Sequence, residues 1–264
     1  MKKTYALLNL TSVIGVLLVN GLSQSQRWNN TTIGEMSNRY DNLFTPASYA
    51  FSIWGLIFLM LLFYGGYQVY CAYKKPDQSD FILQTGPWLI IANAANMLWV
   101  VAFTYDYVAI SVVLMLVLLF SLVQIILRTN MERWDAPFPI IAFVWWPICL
   151  YSGWIAVATI ANVSTLLTKW NWNGASFSEV TWTLILIVIA ALLNLVIIQT
   201  RNMREFAAVG IWAFVAIYTR HVDQYDSIAW TALSAAIILG LAAAIHGYKN
   251  RHTNPFNKLK EEFK

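Results

Sequence analysis

The sequence predicts an all-α, polytopic membrane bundle of about eight transmembrane helices. Hydrophobic residues make up 59% of the 264-residue chain, charged residues only 11%, and the mean hydropathy is +0.56. This composition is typical of integral membrane proteins. The apolar residues also form stretches of the length that a helix needs to cross a bilayer, roughly 17 to 25 residues. Finally, Lys and Arg are distributed unevenly between alternate connections, as they are in multi-pass proteins.

Eight stretches are candidate spans. They cover residues 5–22, 47–73, 83–104, 107–127, 138–168, 179–200, 206–219 and 227–248. The seventh is shorter than a bilayer normally requires. The first also has the charged, apolar and small-residue layout of a secretory signal peptide. We expect it to be retained as the first helix, and its removal would leave seven spans in the same orientation.

The positive charges predict the orientation. If the N-terminus is inside, thirteen of the 17 Lys and Arg residues fall on the inner side, and only Arg27, Arg39, Lys169 and Arg220 fall outside. Lys and Arg near span ends favour the cytoplasm. The sequence therefore predicts a multi-pass protein of the plasma (inner) membrane with cytoplasmic termini, and the membrane lipid is its expected partner. No soluble basic domain is present to bind nucleic acid.

Residues that could carry catalysis or bind a metal are sparse. Cys71 and Cys149 lie in different apolar stretches, and the three histidines are scattered. No metal-ligand spacing and no catalytic motif is found. All Asp, Glu, Lys and Arg residues lie at or beyond span ends, so the polar groups expected inside the membrane are amides and hydroxyls. The sequence thus predicts no metal site, no catalytic residue and no certain cofactor.

The fifth span carries three specific residues at helical spacing. Trp154, Ala158 and Asn162 are four residues apart and fall on one stripe of a helix. Similar stripes occur in two other spans. They consist of Phe51, Trp54 and Phe58 in the second span and of Asn96, Trp99 and Phe103 in the third. Three helices therefore each present a tryptophan-bearing stripe.

The depth of these tryptophans is compatible with three interpretations. At a rise of about 1.5 Å per residue, Trp54, Trp99 and Trp154 lie in the outer half of the membrane, roughly 6 to 10 Å below its surface. An aromatic belt at the interface is one interpretation, and deep helix packing is another. Aromatic walls with a few convergent polar groups are also what a small-molecule pocket requires. We favour the pocket.

These segments resemble the tryptophan-rich sensory protein family, also called the translocator protein or TspO/MBR family. The motifs are Pro46 followed eight residues later by Trp54, Asn96 followed three residues later by Trp99, and Trp154 followed eight residues later by Asn162. They occur in family order, and the resemblance covers residues 1 to about 168. Thr45 replaces the first of two prolines, the following aromatic is the shifted Tyr49, and Ser111 replaces an acid usual early in the fourth helix.

The resemblance implies a pocket for flat hydrophobic molecules such as porphyrins or sterols. The implied ligand-binding residues are Phe51, Trp54, Asn96, Trp99, Phe103, Trp154, Ala158 and Asn162. Residues 23–46, between the first two spans, would form the lid over this pocket. The residues assigned to the lid are Trp28, Tyr40, Pro46 and Tyr49. A tetrapyrrole is the ligand that the family suggests.

The chain continues for about 95 residues beyond the five helices at which the family normally ends. We expect a TspO-like five-helix unit in residues 1–168, a three-helix segment in residues 169–248 and a basic cytoplasmic tail in residues 249–264. In the last helix, Ala236, Gly240 and Ala244 have a small-residue spacing that favours close packing. The added helices are expected to alter the pocket or an interface between copies. The sequence is compatible with a homo-oligomer but does not determine the oligomeric state.

Three functions are compatible with the sequence. The first is a membrane receptor or carrier for a flat hydrophobic small molecule, acting in sensing or stress response. The second is a secondary transporter, for which Pro139 and Pro147 would break the fifth span. The third is a membrane enzyme of tetrapyrrole or isoprenoid chemistry. The first is favoured because no acid, base or metal ligand is predicted inside the membrane.

Overall fold

The regular structure is helical, as predicted. The computed structural model describes residues 1–40, 42–172 and 174–251, with residues 255, 258 and 259, and most of the predicted tail lies outside the described residues. The helices are α1 (Lys2–Gln26), α2 (Ile33–Arg39), α3 (Ile53–Lys74), α4 (Asp80–Thr85), α5 (Trp88–Thr104), α6 (Val108–Arg128), α7 (Phe138–Lys169), α8 (Glu179–Arg201), α9 (Arg204–His221) and α10 (Asp226–Lys249).

Six of these helices are long and apolar enough to cross a membrane, namely α1, α3, α6, α7, α8 and α10. Helix α5 is apolar but has 17 residues, and α9 has 18 residues with a less apolar composition. Large apolar side chains on α6, such as Val113 and Phe120, are more than half exposed. Such surfaces suit contact with lipid tails. The prediction of a multi-pass helical membrane protein is confirmed.

Two predicted helix starts lie several residues too early. The second span begins with a 3₁₀ turn at Ser48–Ser52, and its α-helix begins only at Ile53. Within the third predicted span, the short helix α4 ends at Thr85 and the long helix α5 begins only at Trp88. Between them Gly86 adopts φ +50°, a left-handed conformation that interrupts a right-handed helix.

The described residues form two compact units, each assembled from separate stretches of sequence. The first unit comprises Met1–Asn42, Phe51–Thr129 and Ala158–Trp172. The second unit comprises Leu43–Ala50, Asn130–Val157 and Asn173–Lys264. The predicted division at residues 168 and 248 is not tested by this grouping and stays a prediction.

Buried amides join the helices of the first unit. Helix α1 packs against α3 and α5, and α5 packs against α6. The Asn9 amide donates to Gln68 Oε1 at 2.8 Å, and the Asn93 amide donates to Ser12 Oγ at 2.9 Å. Hydrogen bonds between polar side chains commonly link helices inside a membrane. These amides therefore serve helix packing within the first unit.

In the second unit, α8, α9 and α10 pack against one another. A Cβ atom added to Gly210 would lie only 2.7 Å from Asn194 Oδ1, so a larger residue would displace the Asn194 side chain where α9 meets α8. The small-residue stripe on α10 contributes less than expected. Ala236 is buried, but Ala244 is exposed and a Cβ atom at Gly240 would meet no atom within 4 Å.

Helix α7 contains a π-helical turn at Ile141–Trp145. Pro139 and Pro147 stand on either side of this turn. Proline lacks an N–H group and its ring crowds the preceding turn, so an α-helix must adjust its hydrogen bonds around it. The prolines therefore widen the helix locally without ending it.

Candidate functional site

A buried hydrogen-bonded cluster joins three helices of the first unit at the predicted stripes. The Trp99 indole N–H donates to Asn162 Oδ1 at 2.7 Å, and the Ser111 hydroxyl lies 3.2 Å from the same oxygen. The Asn162 amide nitrogen lies 2.9 Å from Ser111 Oγ and can donate to it. All three side chains are buried. Asn162 thus fixes the indole of Trp99, and Ser111 occupies the place where the resemblance leads one to expect an acid.

Asn96 has a partner that the sequence did not indicate. Its Oδ1 accepts a hydrogen bond of 2.9 Å from the Asn20 amide on α1. The same Asn20 nitrogen lies 2.9 Å from the carbonyl oxygen of Val16. Helix α1 therefore holds the carbonyl end of the Asn96 side chain. Asn20 belongs to the candidate site, although its spacing alone does not distinguish it from a packing residue.

Two stacked aromatic pairs stand on α3 and α5. Trp54 and Phe58 have ring centroids 5.1 Å apart with an interplanar angle of 22°, and Trp99 and Phe103 have values of 5.2 Å and 14°. Trp54, Trp99 and Phe103 are buried. Near-parallel stacks of this kind present broad, flat apolar faces.

The remaining predicted wall residues are placed as follows. Phe51 and Ala158 are partly buried residues of the first unit. Trp154 is only 2% exposed and belongs to the second unit. The structure therefore brings Trp99, Phe103 and Asn162 into one cluster, and the ligand-binding role of all these residues stays a prediction.

The first part of the predicted lid is an ordered segment. Arg27 pairs with Glu35 at 2.8 Å, and Thr32 and Glu35 form a capping box that begins α2. The pKa of Glu35 is lowered, chiefly by the hydrogen bond from Arg27. The Asn29 amide donates to the carbonyl oxygen of Thr104 at 2.9 Å. The partly buried Trp28 donates to Gln26.

Asp106 connects this segment to two helices. The Tyr40 hydroxyl donates to its carboxylate at 2.9 and 3.0 Å, and Lys169 at the end of α7 forms an ion pair with it at 2.8 Å. Lys169 also donates to the backbone oxygen of Asp106 at 2.6 Å. Asp106 has φ +64°, which Asp and Asn tolerate better than most residues. The lid is thereby anchored at the connection between α5 and α6.

We expect Asp106→Asn to loosen the lid without unfolding the protein. Asparagine keeps the backbone conformation and one acceptor oxygen but loses the charge that holds Lys169 and Tyr40. Because the Lys169 and Asp106 side chains are about one-third exposed, the loss is about 0.2–1 kcal/mol. Hydrogen–deuterium exchange of residues 28–40 should become faster. Asp80→Asn, which removes the exposed ion pair with Lys2, is the control. Equal exchange of the lid in both variants would contradict this anchoring.

The second part of the lid belongs to the second unit, where α9 holds it. The backbone N–H of Ala47 donates to the Ala216 oxygen at 3.1 Å, and the Trp212 indole donates to the Ala50 oxygen at 3.0 Å. Arg220 donates to the Thr45 oxygen at 2.9 Å. Two further contacts are His221 Nε2 with the Leu43 oxygen, at 2.8 Å, and the edge of Tyr49 with the Trp212 ring, at 5.3 Å between centroids. Pro46, which is buried, lies within this fixed segment.

The second unit also contains a polar cavity of about 340 Å³. Glu132, Glu205, Arg204 and His246 are among the residues that line it. Burial, together with the nearby Glu205, raises the pKa of Glu132 to about 8. This cavity could not be predicted from the sequence, because its charged residues come from separate regions of the chain.

Comparison with family models shows that a model described as TSPO-like protein matches residues 6–245. This match extends beyond the five spans that carry the recognised motifs and continues through α8 and α9 into α10. Comparison with curated proteins and with solved structures gives no match.

Proposed function

Because the chain belongs to the TSPO-like protein family, we propose that it is an integral membrane receptor or carrier for a flat hydrophobic small molecule. A porphyrin-, sterol- or isoprenoid-like compound is the ligand class, and a tetrapyrrole is its first candidate. Binding serves sensing or a stress response. The protein resides in the plasma (inner) membrane with both termini in the cytoplasm, as its Lys and Arg distribution predicts.

The observation that carries this proposal is the 2.7 Å bond between Trp99 and Asn162. Burying an unpaired indole N–H is costly, and here its partner is itself held by Ser111. The plane of Trp99 is consequently fixed before any ligand arrives. A fixed aromatic face binds a flat molecule with little loss of conformational entropy. Asn162 is therefore a positioning residue for Trp99 in this proposal.

The stacked pairs on α3 and α5 define the shape of the preferred ligand. Trp54 with Phe58 and Trp99 with Phe103 offer extended flat surfaces. Flat, largely apolar ring systems make more contact with such surfaces than compact polar molecules do. The anchored segment of residues 27–40, which belongs to the same unit, would then control access to these faces.

The test is a tryptophan-fluorescence titration of the detergent-solubilised protein with protoporphyrin. We expect saturable quenching in the wild type and an affinity at least tenfold weaker in Trp99→Phe, which corresponds to about 1.4 kcal/mol. Trp230→Phe is the matched control, since Trp230 is 57% exposed on α10. Non-saturable quenching, or equal affinities in both variants, would argue against a site at Trp99. Empty micelles correct for partition of the porphyrin into detergent.

A second candidate function, transport, is favoured by the π-helical turn of α7. Interrupted helices often border the substrate path of secondary transporters. The turn at Ile141–Trp145 lies between two prolines and could allow α7 to bend during alternating access. Uptake of protoporphyrin into sealed vesicles containing the purified protein distinguishes movement from binding alone.

A further inference from the structure

Two carboxylates and a thiol meet inside the second unit. Glu132, Cys149 and Glu205 each offer one ligand atom, and these three atoms lie within 4.8 Å of one another. The residues come from the connection between α6 and α7, from α7 and from the first turn of α9. Their convergence results from the tertiary fold, because 73 positions separate the first residue from the last.

The connection after α6 is shaped to bring Glu132 to this place. Cys149 stands eleven residues beyond the start of α7, about 16 Å along the helix axis. Glu132 adopts φ +58° and the preceding Met131 is fully buried, so the connection folds inward. The Asn202 amide donates to Glu132 Oε2 at 3.2 Å and helps to fix the carboxylate.

The group has an unused capacity for a ligand. Oε2 of Glu205 is buried and has no hydrogen bond of good geometry among the described residues, although the Trp146 indole interacts with this carboxylate. Oδ1 of Asn202 is also buried and has no hydrogen-bond donor among the described residues. Leaving buried acceptors unpaired is costly, and the cost falls when a cation supplies the missing interaction. Glu132 and Glu205 also line the cavity, which leaves room for a water molecule as a further ligand.

The types of ligand atom indicate which cation fits. A cysteine sulfur with carboxylate oxygens suits zinc-class divalent ions, whereas Mg²⁺ and Ca²⁺ prefer oxygen ligands only. Three negatively charged ligands carry a charge of −3. The guanidinium of Arg204, which acts electrostatically on both carboxylates, and a divalent ion together supply +3. The occupied site would therefore be electrically neutral, which favours burial.

The spacing requires only a small adjustment. An ion at the centre of a triangle with sides of 4.8 Å would lie about 2.8 Å from each corner. Zinc binds cysteine sulfur at about 2.3 Å and carboxylate oxygen at about 2.0–2.2 Å. Side-chain rotations of the two glutamates can close this difference. We propose that Glu132, Cys149 and Glu205 form a binding site for a zinc-class divalent cation.

Cobalt is the probe for this site, because a thiolate bound to Co²⁺ gives a near-ultraviolet charge-transfer band. The full chain, purified in detergent and freed of metal, is titrated with Co²⁺ and then with Zn²⁺. We expect one equivalent of Co²⁺ to produce the band, Zn²⁺ to remove it and Mg²⁺ to leave it unchanged. Cys149→Ser should abolish the band, whereas Cys71→Ser, the change of the other buried cysteine, should retain it.

The glutamate variants supply the second test. Glu205→Gln and Glu132→Gln keep the side-chain shape and should weaken Co²⁺ binding by about tenfold or more. They also test whether the three residues bind the cation if Cys149→Ser fails to fold. The proposal is overturned by absence of the band in the wild type, by its loss in Cys71→Ser, or by wild-type affinity in both glutamate variants. Porphyrin quenching in Cys149→Ser is a separate readout, so failure of one proposal is distinguishable from failure of the other.

Discussion

Gly153→Ala is expected to destabilise the protein by about 1–3 kcal/mol and to lower its melting temperature by several degrees. A Cβ atom at this position would lie 2.9 Å from the carbonyl oxygen of Phe206 and 3.3 Å from its Cα atom. It would also lie 3.1 Å from Cβ of Val209. Two of these neighbours are backbone atoms, which cannot rotate away. The added methyl group must therefore push α7 and α9 apart.

The matched control for this change is Gly240→Ala. It adds the same methyl group to a helix of the same unit, but at a position where no atom lies within 4 Å. Alanine also has the better helix propensity, by about 1 kcal/mol. We expect Gly240→Ala to be neutral or slightly stabilising in a detergent melt. If both variants melted alike, the close contact between α7 and α9 would not contribute to stability.

The same substitution connects helix packing with the proposed cation site. Gly153 lies one helical turn after Cys149, and Phe206 directly follows Glu205. Moving α9 away from α7 would separate the thiol from the carboxylate. We therefore expect the Gly153→Ala protein to bind Co²⁺ more weakly, although none of its ligands is changed. The three ligands are effective only while this contact holds them together.

Hydropathy alone was sufficient to predict the membrane fold, because the length and composition of a spanning helix are local properties of the sequence. The starts of α3 and α5 were harder to predict. The predicted spans include residues 47–52 and 83–87, but the backbone turns at Ser48–Ser52 and at Gly86. Hydropathy does not report the backbone conformation of an apolar residue, so such turns are easily included in a helix.

The site could be predicted only where its residues share one helix. Helical spacing found the stripes of Trp99 and Asn162, but their mutual hydrogen bond depends on how α5 packs against α7 within the first unit. Ser111 appeared only as a departure from the family pattern, and nothing in its spacing distinguished Asn20 from other amides of the spans. The group of Glu132, Cys149 and Glu205 could not be foreseen, because a loop must fold inward to form it.

We expect Asn162→Ala to have the largest effect on the candidate ligand site. The change removes the acceptor of the Trp99 indole, whereas the Ser111 hydroxyl keeps its hydrogen bond to the Val108 oxygen at 2.7 Å. An unpaired buried donor costs about 1–3 kcal/mol, although hydrogen bonds between membrane helices average nearer 0.6 kcal/mol. We expect the larger figure, because the Trp99 donor is buried and the bond from the Asn162 amide to Ser111 is lost as well. Thermal or denaturant unfolding of the variant in detergent measures this loss.

Asn9→Ala is the control for a general loss of stability. It removes another buried amide bond of the first unit, the one from Asn9 to Gln68, away from the tryptophan stripes. Both variants should be less stable than the wild type, but only Asn162→Ala should also weaken protoporphyrin binding. Equal weakening in the two variants would mean that binding follows overall stability and does not depend on the orientation of Trp99.

A double-mutant cycle then determines how Asn162 acts. If Asn162 only holds the Trp99 indole in place, its removal should matter little once Trp99→Phe has eliminated the N–H donor. The two changes would then be strongly non-additive in both stability and protoporphyrin affinity, by about 0.5–3 kcal/mol. If Asn162 instead bonds directly to the ligand, its effect on affinity should persist in the Trp99→Phe background. Additive losses of affinity would therefore indicate that Asn162 contacts the ligand directly and does not act by positioning Trp99.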